Sequence, residues 1–196
     1  MANLEQLRDT LIARGFGCSV FDTVPQAVAY LKDSLKGRTI GFGGSVTVRE
    51  MGLYEALAQE NTCYWHWEQG TRDQAAGAQV YISSLNGVAE TGELVNIDGS
   101  GNRVASGLYG HEKVVFVVGV NKIAPDLEGA IWRARNVAGP KNAQRLGKKT
   151  PCAAGGDRCY DCNSPERICS AMVLYWRCPT AIPEMELVII NQELGY

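Results

Sequence analysis

The sequence predicts an α/β fold built on a mostly parallel sheet, and three observations predict it. Segments with helical spacing alternate with short apolar runs along the chain. One run, Val114-Val-Phe-Val-Val118, is apolar at every position, as a central strand must be when helices cover both faces of its sheet. The chain has 196 residues, 45% of them hydrophobic and 20% charged, enough for one large domain. A chain of that size buries about 70% of its unfolded surface and needs no staples to fold.

The elements follow in order. Asn3 and Gln6 form a capping pair for a helix whose apolar face is Leu4, Leu7, Leu11 and Ile12, closed by Gly15. Phe16 to Phe21 reads as extended, and Val24-Pro25 opens a second helix with Val28, Leu31 and Leu35 on its buried stripe, ending at Gly37. Thr39 to Phe42 is a short strand. After Gly43-Gly44-Ser45, helical spacing runs from Val46 to Ala58 through Val48, Met51, Leu53, Tyr54 and Leu57.

Further strands are expected at Thr62 to Trp67, Ala78 to Ser83, Glu93 to Ile97 and Lys113 to Val120, with a helix from Pro125 to Val137. Gly99-Ser-Gly101 suggests a hairpin from Glu93–Asp98 to Asn102–Ala105, which would make the sheet mixed. Met185 to Ile190 reads as a last strand behind Pro179 and Pro183. With no internal repeat and no low-complexity linker, residues 1–196 are expected to form a single domain with a cysteine loop at 150–170.

Composition excludes several classes. A formal net charge of −2 and a pI near 5.7 give no electrostatic footprint for nucleic acid. The amphipathic N-terminal segment lacks a basic n-region and an apolar h-region, and no apolar run reaches the roughly 18 residues of a membrane span, so a cytoplasmic protein is expected. Seven cysteines is an odd count, and four of them fall within eighteen residues of a core-rich chain. That pattern favours reduced thiols or metal thiolates over a disulfide framework.

Three segments have the residue types for chemistry. Gly41-Phe-Gly-Gly-Ser-Val-Thr47 lies between a strand and a helix, where glycine N–H groups at Gly43 and Gly44 and the hydroxyls of Ser45 and Thr47 suit an anion; no Gly-Lys-Ser/Thr follows, so it is not a Walker loop. Its competing reading is a tight turn that binds nothing. Glu90, in Asn86-Gly-Val-Ala-Glu-Thr-Gly-Glu-Leu94, lies just past a strand's carboxyl end and could serve as nucleophile, general base or metal ligand. Its competing reading is a solvated charge in a hairpin turn.

The third segment holds Cys152, Cys159, Cys162 and Cys169 in the pattern C-x6-C-x2-C-x6-C, with Arg158 and Arg167 available to offset thiolate charge. Four thiolates suit a [4Fe–4S] cluster or zinc, and spacing does not separate the two. A set of reduced cysteines, or a redox dithiol at Cys159 and Cys162, is the plainer alternative. Cys18 and Cys63 fall in strands and read as small core residues, while Cys178 is open. His66 and His111 are each more simply structural than catalytic, and Lys141, Arg145, Lys148 and Lys149 read as a solvated helix face.

Gly41-Phe-Gly-Gly-Ser-Val-Thr47, Ala89-Glu-Thr-Gly-Glu-Leu94, Lys113-Val-Val-Phe-Val-Val-Gly-Val-Asn-Lys-Ile123 and Asn136-Val-Ala-Gly-Pro140 together resemble the LUD family, named for lactate utilization. The resemblance runs to the terminal Asn191-Gln-Glu-Leu-Gly-Tyr196, and the cysteine segment resembles a short subgroup of that family. It implies a three-layer α/β/α, Rossmann-like fold shared with ribose-5-phosphate isomerase, glucosamine-6-phosphate deaminase and coenzyme A transferases. In that wider group a glycine-Ser/Thr loop holds a sugar phosphate or related anion, and coenzyme A transferases carry a glutamate ahead of a glycine, which Glu90-Thr-Gly92 resembles.

Family members linked to lactate work beside iron–sulfur subunits that oxidise L-lactate to pyruvate. The resemblance therefore implies organic-acid redox metabolism, with an organic anion or phosphorylated metabolite at the glycine loop and an iron–sulfur cluster at the cysteines. Iron–sulfur oxidoreductase subunits or a second copy of the chain are the protein partners to expect. The alternatives are a small-acid or sugar-phosphate transferase or isomerase using Glu90 with a structural zinc, and a non-catalytic regulatory or assembly subunit. No flavin or nicotinamide fingerprint is present.

Overall fold

The computed structural model describes residues 2–69 and 71–196. Among them lie ten strands: β1 Gly17–Phe21, β2 Thr39–Phe42, β3 Thr62–Trp65, β4 Val80–Ser83, β5 Gly87–Ala89, β6 Leu94–Asp98, β7 Lys113–Gly119, β8 Ile123–Ala124, β9 Ala171–Tyr175 and β10 Glu184–Ile190. Six form the main sheet in the order β1-β10-β7-β4-β2-β3, every neighbouring pair parallel. The other four form a smaller sheet, β8-β5-β6-β9.

β7 is central, between β10 and β4, and is buried from Val114 to Gly119. Its side chains alternate between the two halves of the core. Val115 and Val117 pack with Leu31, Ile40, Phe42, Val48, Leu53 and Ile190 under the helices Val24–Ser34, Val46–Glu50 and Leu53–Leu57. Val114, Phe116 and Val118 pack on the other face with Leu7 and Leu11 of helix Leu4–Ala13 and with Val88, Leu94 and Tyr175 of the small sheet. Each such side chain, fully buried, contributes about 1.5–3 kcal/mol. The small sheet in turn carries helix Leu127–Arg133 through Ala89, Val95, Ala124 and Ala130. The result is the three-layer α/β/α arrangement, with the small sheet inserted on one face.

Local chemistry explains the element ends. Asn3 Oδ1 accepts from the backbone N–H of Gln6 at 3.1 Å, and Gly15 closes the first helix at φ +82°. Thr23 and Gln26 make a reciprocal capping box on either side of Val24-Pro25. Gly52, at φ +60°, divides the expected Val46–Ala58 helix into Val46–Glu50 and Leu53–Leu57. The strand expected to Trp67 stops at Trp65, and His66 starts a short helix, His66–Gln69.

Two expectations are corrected. The main sheet is wholly parallel, and the antiparallel pairs belong to the small sheet. Asn102–Ser106 is a helix, not the return strand of a hairpin; β6 pairs instead with β5 and β9. The reason is Asp98, whose carboxylate accepts from the backbone N–H groups of Gly99 at 3.0 Å and Arg103 at 2.9 Å and bends the chain into the helix. Among the described residues no helix is long and apolar enough to cross a membrane.

Candidate functional site

The glycine loop leaves the carboxyl end of β2. Gly43 still donates to Ile82 O of β4 at 2.9 Å, so the loop begins clamped to the sheet. Neither Gly43 nor Gly44 has a positive φ; what they supply is room. A Cβ on Gly43 would lie 2.6 Å from both Ser83 Oγ and Tyr81 Oη, and one on Gly44 would lie 2.9 Å from Trp67 Nε1. Ser45 Oγ accepts from Val48 N at 3.2 Å, and buried Thr47 donates its hydroxyl to Leu194 O at 3.3 Å.

Gly44, Ser45 and Thr47 line a cleft of about 530 Å³ at the carboxyl ends of β2, β4 and β7, where open parallel sheets place their ligands. Five cationic side chains line it, Arg72, Arg103, Arg145, Lys148 and Arg167, together with the amine of Lys122, against the carboxylates of Asp98 and Glu166. That excess makes the cleft attractive to anions although the whole chain is acidic. Asp98 also pairs with the Arg103 guanidinium at 3.3 Å, and Arg103 reaches Ile97 O. The guanidinium groups of Arg49 and Arg145 lie over Trp67, 4.3 and 4.9 Å from its ring centroid. Of the residues read as a solvated helix face, Arg145 on the helix and Lys148 just beyond it line the cleft.

Lys122 was not singled out by the sequence and lies in the loop after β7. It is 3% exposed, and its Nζ donates to Thr47 Oγ1 and Ser84 Oγ, each at 2.8 Å. Burial first, then the charges of Arg133 and Arg103, push its pKa down to about 7. Arg133, itself lowered to about 10 by burial, braces the neighbouring loops by donating to Asn121 O at 2.7 Å and Asn86 O at 2.6 Å.

The structure does not bring Glu90 to this cleft. It sits exposed in the β5–β6 turn, its N–H donating to Ala124 O at 2.8 Å, with Gly92 at φ +94°. It lines neither cavity described here, so the hairpin-turn reading fits its place. Its neighbour Glu93 is tied to Arg14 at 2.6 Å, which with Thr91 holds its carboxyl below the usual range against partial burial. His66 lines the cleft, whereas His111 is buried, stacked on Tyr81 at 5.0 Å and hydrogen-bonded through Nδ1 to Ala78 O at 2.7 Å. Burial pushes both imidazoles toward the neutral form.

Cys152, Cys159, Cys162 and Cys169 all line a second cavity, of about 290 Å³. All four are free thiols. Cys159 Sγ accepts from Asp161 N at 3.4 Å and Arg135 Nη2 at 3.7 Å, Cys169 Sγ accepts from Arg167 Nε at 3.2 Å, and Thr150 Oγ1 lies 3.3 Å from Cys152 Sγ. Asp161, at φ +46°, pairs with Arg135 and Arg167. Ile97, Ala134, Ile168 and Met172 supply apolar wall. Among the described residues no three His, Cys, Asp or Glu side chains converge as ligands of a single metal ion. The other cysteines are outside this set: burial raises Cys18 to about 12 and Cys63 to about 11, and raises Cys178 as well.

The two cavities adjoin. Ile97, Ala134, Gly139, Arg167, Ile168 and Cys169 line both. Between them runs a π-helical turn, Ala134–Ala138, joining helix Leu127–Arg133 to helix Gly139–Arg145. Such wide turns are frequent at functional sites. Asn136 on this turn accepts from Cys159 N at 3.1 Å and so ties the cysteine loop to it.

The LUD domain family model matches residues 4–180. The chain belongs to the LUD domain family. The crystal structure of a DUF162 family protein from Deinococcus radiodurans is similar to it over 96% of each chain, with a TM-score of 0.54 and 11% sequence identity, a likeness of fold. No curated protein matches the chain significantly.

Within this LUD chain three of the four family-like segments converge in space, Ala89–Leu94 being the exception. The glycine loop, Lys122 of the β7 segment and Gly139 of Asn136-Val-Ala-Gly-Pro140 all line the cleft. The signal that could have exposed Lys122 is its place: a charged residue three positions after the apolar central strand of a parallel sheet, at the edge where ligands bind.

Proposed function

We propose that this LUD protein serves lactate-type organic-acid redox metabolism by holding a small organic anion in the cationic cleft beside a [4Fe–4S] cluster bound through Cys152, Cys159, Cys162 and Cys169. The observation that carries this reading is the shared wall. A cleft lined by five cations and a cavity lined by four cysteines have Arg167, Ile168 and Cys169 in common.

The number and type of the donors support the cluster reading. Four cysteines line one cavity of about 290 Å³, and backbone and guanidinium N–H groups already point at two of the sulfurs. Hydrogen bonds of that kind, with burial and net charge, tune a cluster's potential. When bound, such a cluster supplies one-electron transfer. The chain's own residues do the rest: Arg135 and Arg167 offset thiolate charge, Arg103 is held in place by Asp98, and Ser45, Thr47 and Gly44 contribute polar wall to the anion's seat.

Electron paramagnetic resonance on anaerobically isolated, dithionite-reduced protein tests the reading. A cluster signal that changes on adding L-lactate or pyruvate supports it. A signal indifferent to both anions, or no signal, counts against it. The transferase alternative has less support, because Glu90 is on an exposed turn and lines neither cavity.

A further inference from the structure

The hydrogen bonds around Lys122 have a fixed direction. Thr47 gives its hydroxyl proton to Leu194 O at 3.3 Å, and Ser84 directs its own toward Leu85 O at 3.5 Å. Both hydroxyl oxygens therefore accept from Lys122 Nζ, each at 2.8 Å. A neutral amine has two N–H groups and one lone pair. Here both N–H groups are used, and the lone pair is the one valence left on a residue that lines the cleft. Protonation would add a third N–H for which no acceptor is found among the described residues.

No carboxylate among the described residues pairs with this amine. Glu50, whose charge reaches it, spends Oε2 on Gly195 N at 2.6 Å. Gly195 packs so closely that a Cβ there would lie 2.5 Å from Thr47 Oγ1 and 3.5 Å from Lys122 Nζ. The amine is thus confined, oriented and free of a counter-ion, in a cleft whose other cations attract a carboxylate. A lysine kept neutral and desolvated in this way is a nucleophile toward carbonyl carbon.

We propose that Lys122 is a covalent site for small 2-oxo acids, its Nζ condensing with the keto group to form an imine. The Nζ–carbon bond forms as the keto oxygen leaves as water, carrying away the two protons lost by the amine. No oxidant or reductant is consumed. Once protonated on nitrogen, the imine draws electrons from the substrate carbon and acidifies the C–H of the carbon next to it. A 2-hydroxy acid has no carbonyl and would occupy the cleft without a bond. This inference rests on the cleft being an organic-anion site and is independent of what the cysteines hold.

The test uses the full-length protein with pyruvate, followed by borohydride, which delivers hydride to the imine carbon and makes the link permanent. Intact-mass measurement and peptide mapping should show one reduced pyruvyl group on Lys122, exceeding any surface lysine by more than about tenfold. Lys122→Arg should abolish it and L-lactate should yield none. Because the adduct is mapped on the wild-type chain, the result does not depend on the variant folding. No adduct, or one spread evenly over surface lysines, overturns the proposal. Melting curves with pyruvate then separate the two failures: a raised melting temperature without an adduct leaves the anion cleft standing, and no shift with pyruvate or L-lactate removes that reading as well.

Discussion

Lys122 binds a proton in the folded chain only below about pH 7, whereas an unfolded lysine holds its proton to about 10.5. Between those values the unfolded state carries the extra proton, so this group makes stability rise with pH, by at most about 1.4 kcal/mol per pH unit. Denaturant titrations at pH 7 and pH 9 check this: Lys122→Met should flatten the rise relative to wild type. Gly43→Ala tests the loop at the same scale. Its added methyl would lie 2.6 Å from Ser83 Oγ and Tyr81 Oη, so it should cost about 1–3 kcal/mol and weaken anion binding. The residue scale is also where sequence reading was weakest. Thr47 and Gly44 were recognisable from a glycine-Ser/Thr pattern, but a lone lysine after a strand looks like any surface charge until tertiary packing buries it. Glu90 failed to reach the cleft for the opposite reason: a Glu-Thr-Gly turn reads the same whether it faces a ligand or solvent.

At the scale of elements, hydrophobic patterning carried most of the weight. The all-apolar β7, the capped first helix and the Val24-Pro25 start follow from local chemistry, and the structure places them as expected. The hairpin at Gly99–Gly101 was misread because glycines license either a return strand or a turn into a helix. Asp98 decides the matter with its carboxylate. Asp98→Ala should therefore lose about 1–3 kcal/mol, the scale of hydrogen bonds made to a charged group, and should free Arg103 and loosen anion binding, as calorimetric titration with pyruvate or phosphate would show. The π-helical turn had no sequence signal, since Ala134–Ala138 continues the helical spacing. Asn136→Ala removes its acceptor for Cys159 N, at 3.1 Å, and should speed iron loss to a chelator while leaving the melting temperature of the metal-free chain within a few degrees.

On the scale of the whole molecule, one feature was legible only in part. The spacing of Cys152, Cys159, Cys162 and Cys169 announced a four-sulfur set. Nothing local showed that its cavity would share a wall with the glycine-loop cleft. That adjacency arises because helix Gly139–Arg145 and the loop after helix Pro151–Gly155 fold back over the carboxyl edge of the main sheet, bringing residues 134–139 and 167–169 between the cavities. The proposed function stands on what the cysteines hold. Iron and acid-labile sulfide determined on freshly isolated, anaerobically handled protein test it most directly: it predicts a brown protein with about four of each per chain, whereas a colourless protein carrying stoichiometric zinc would contradict it.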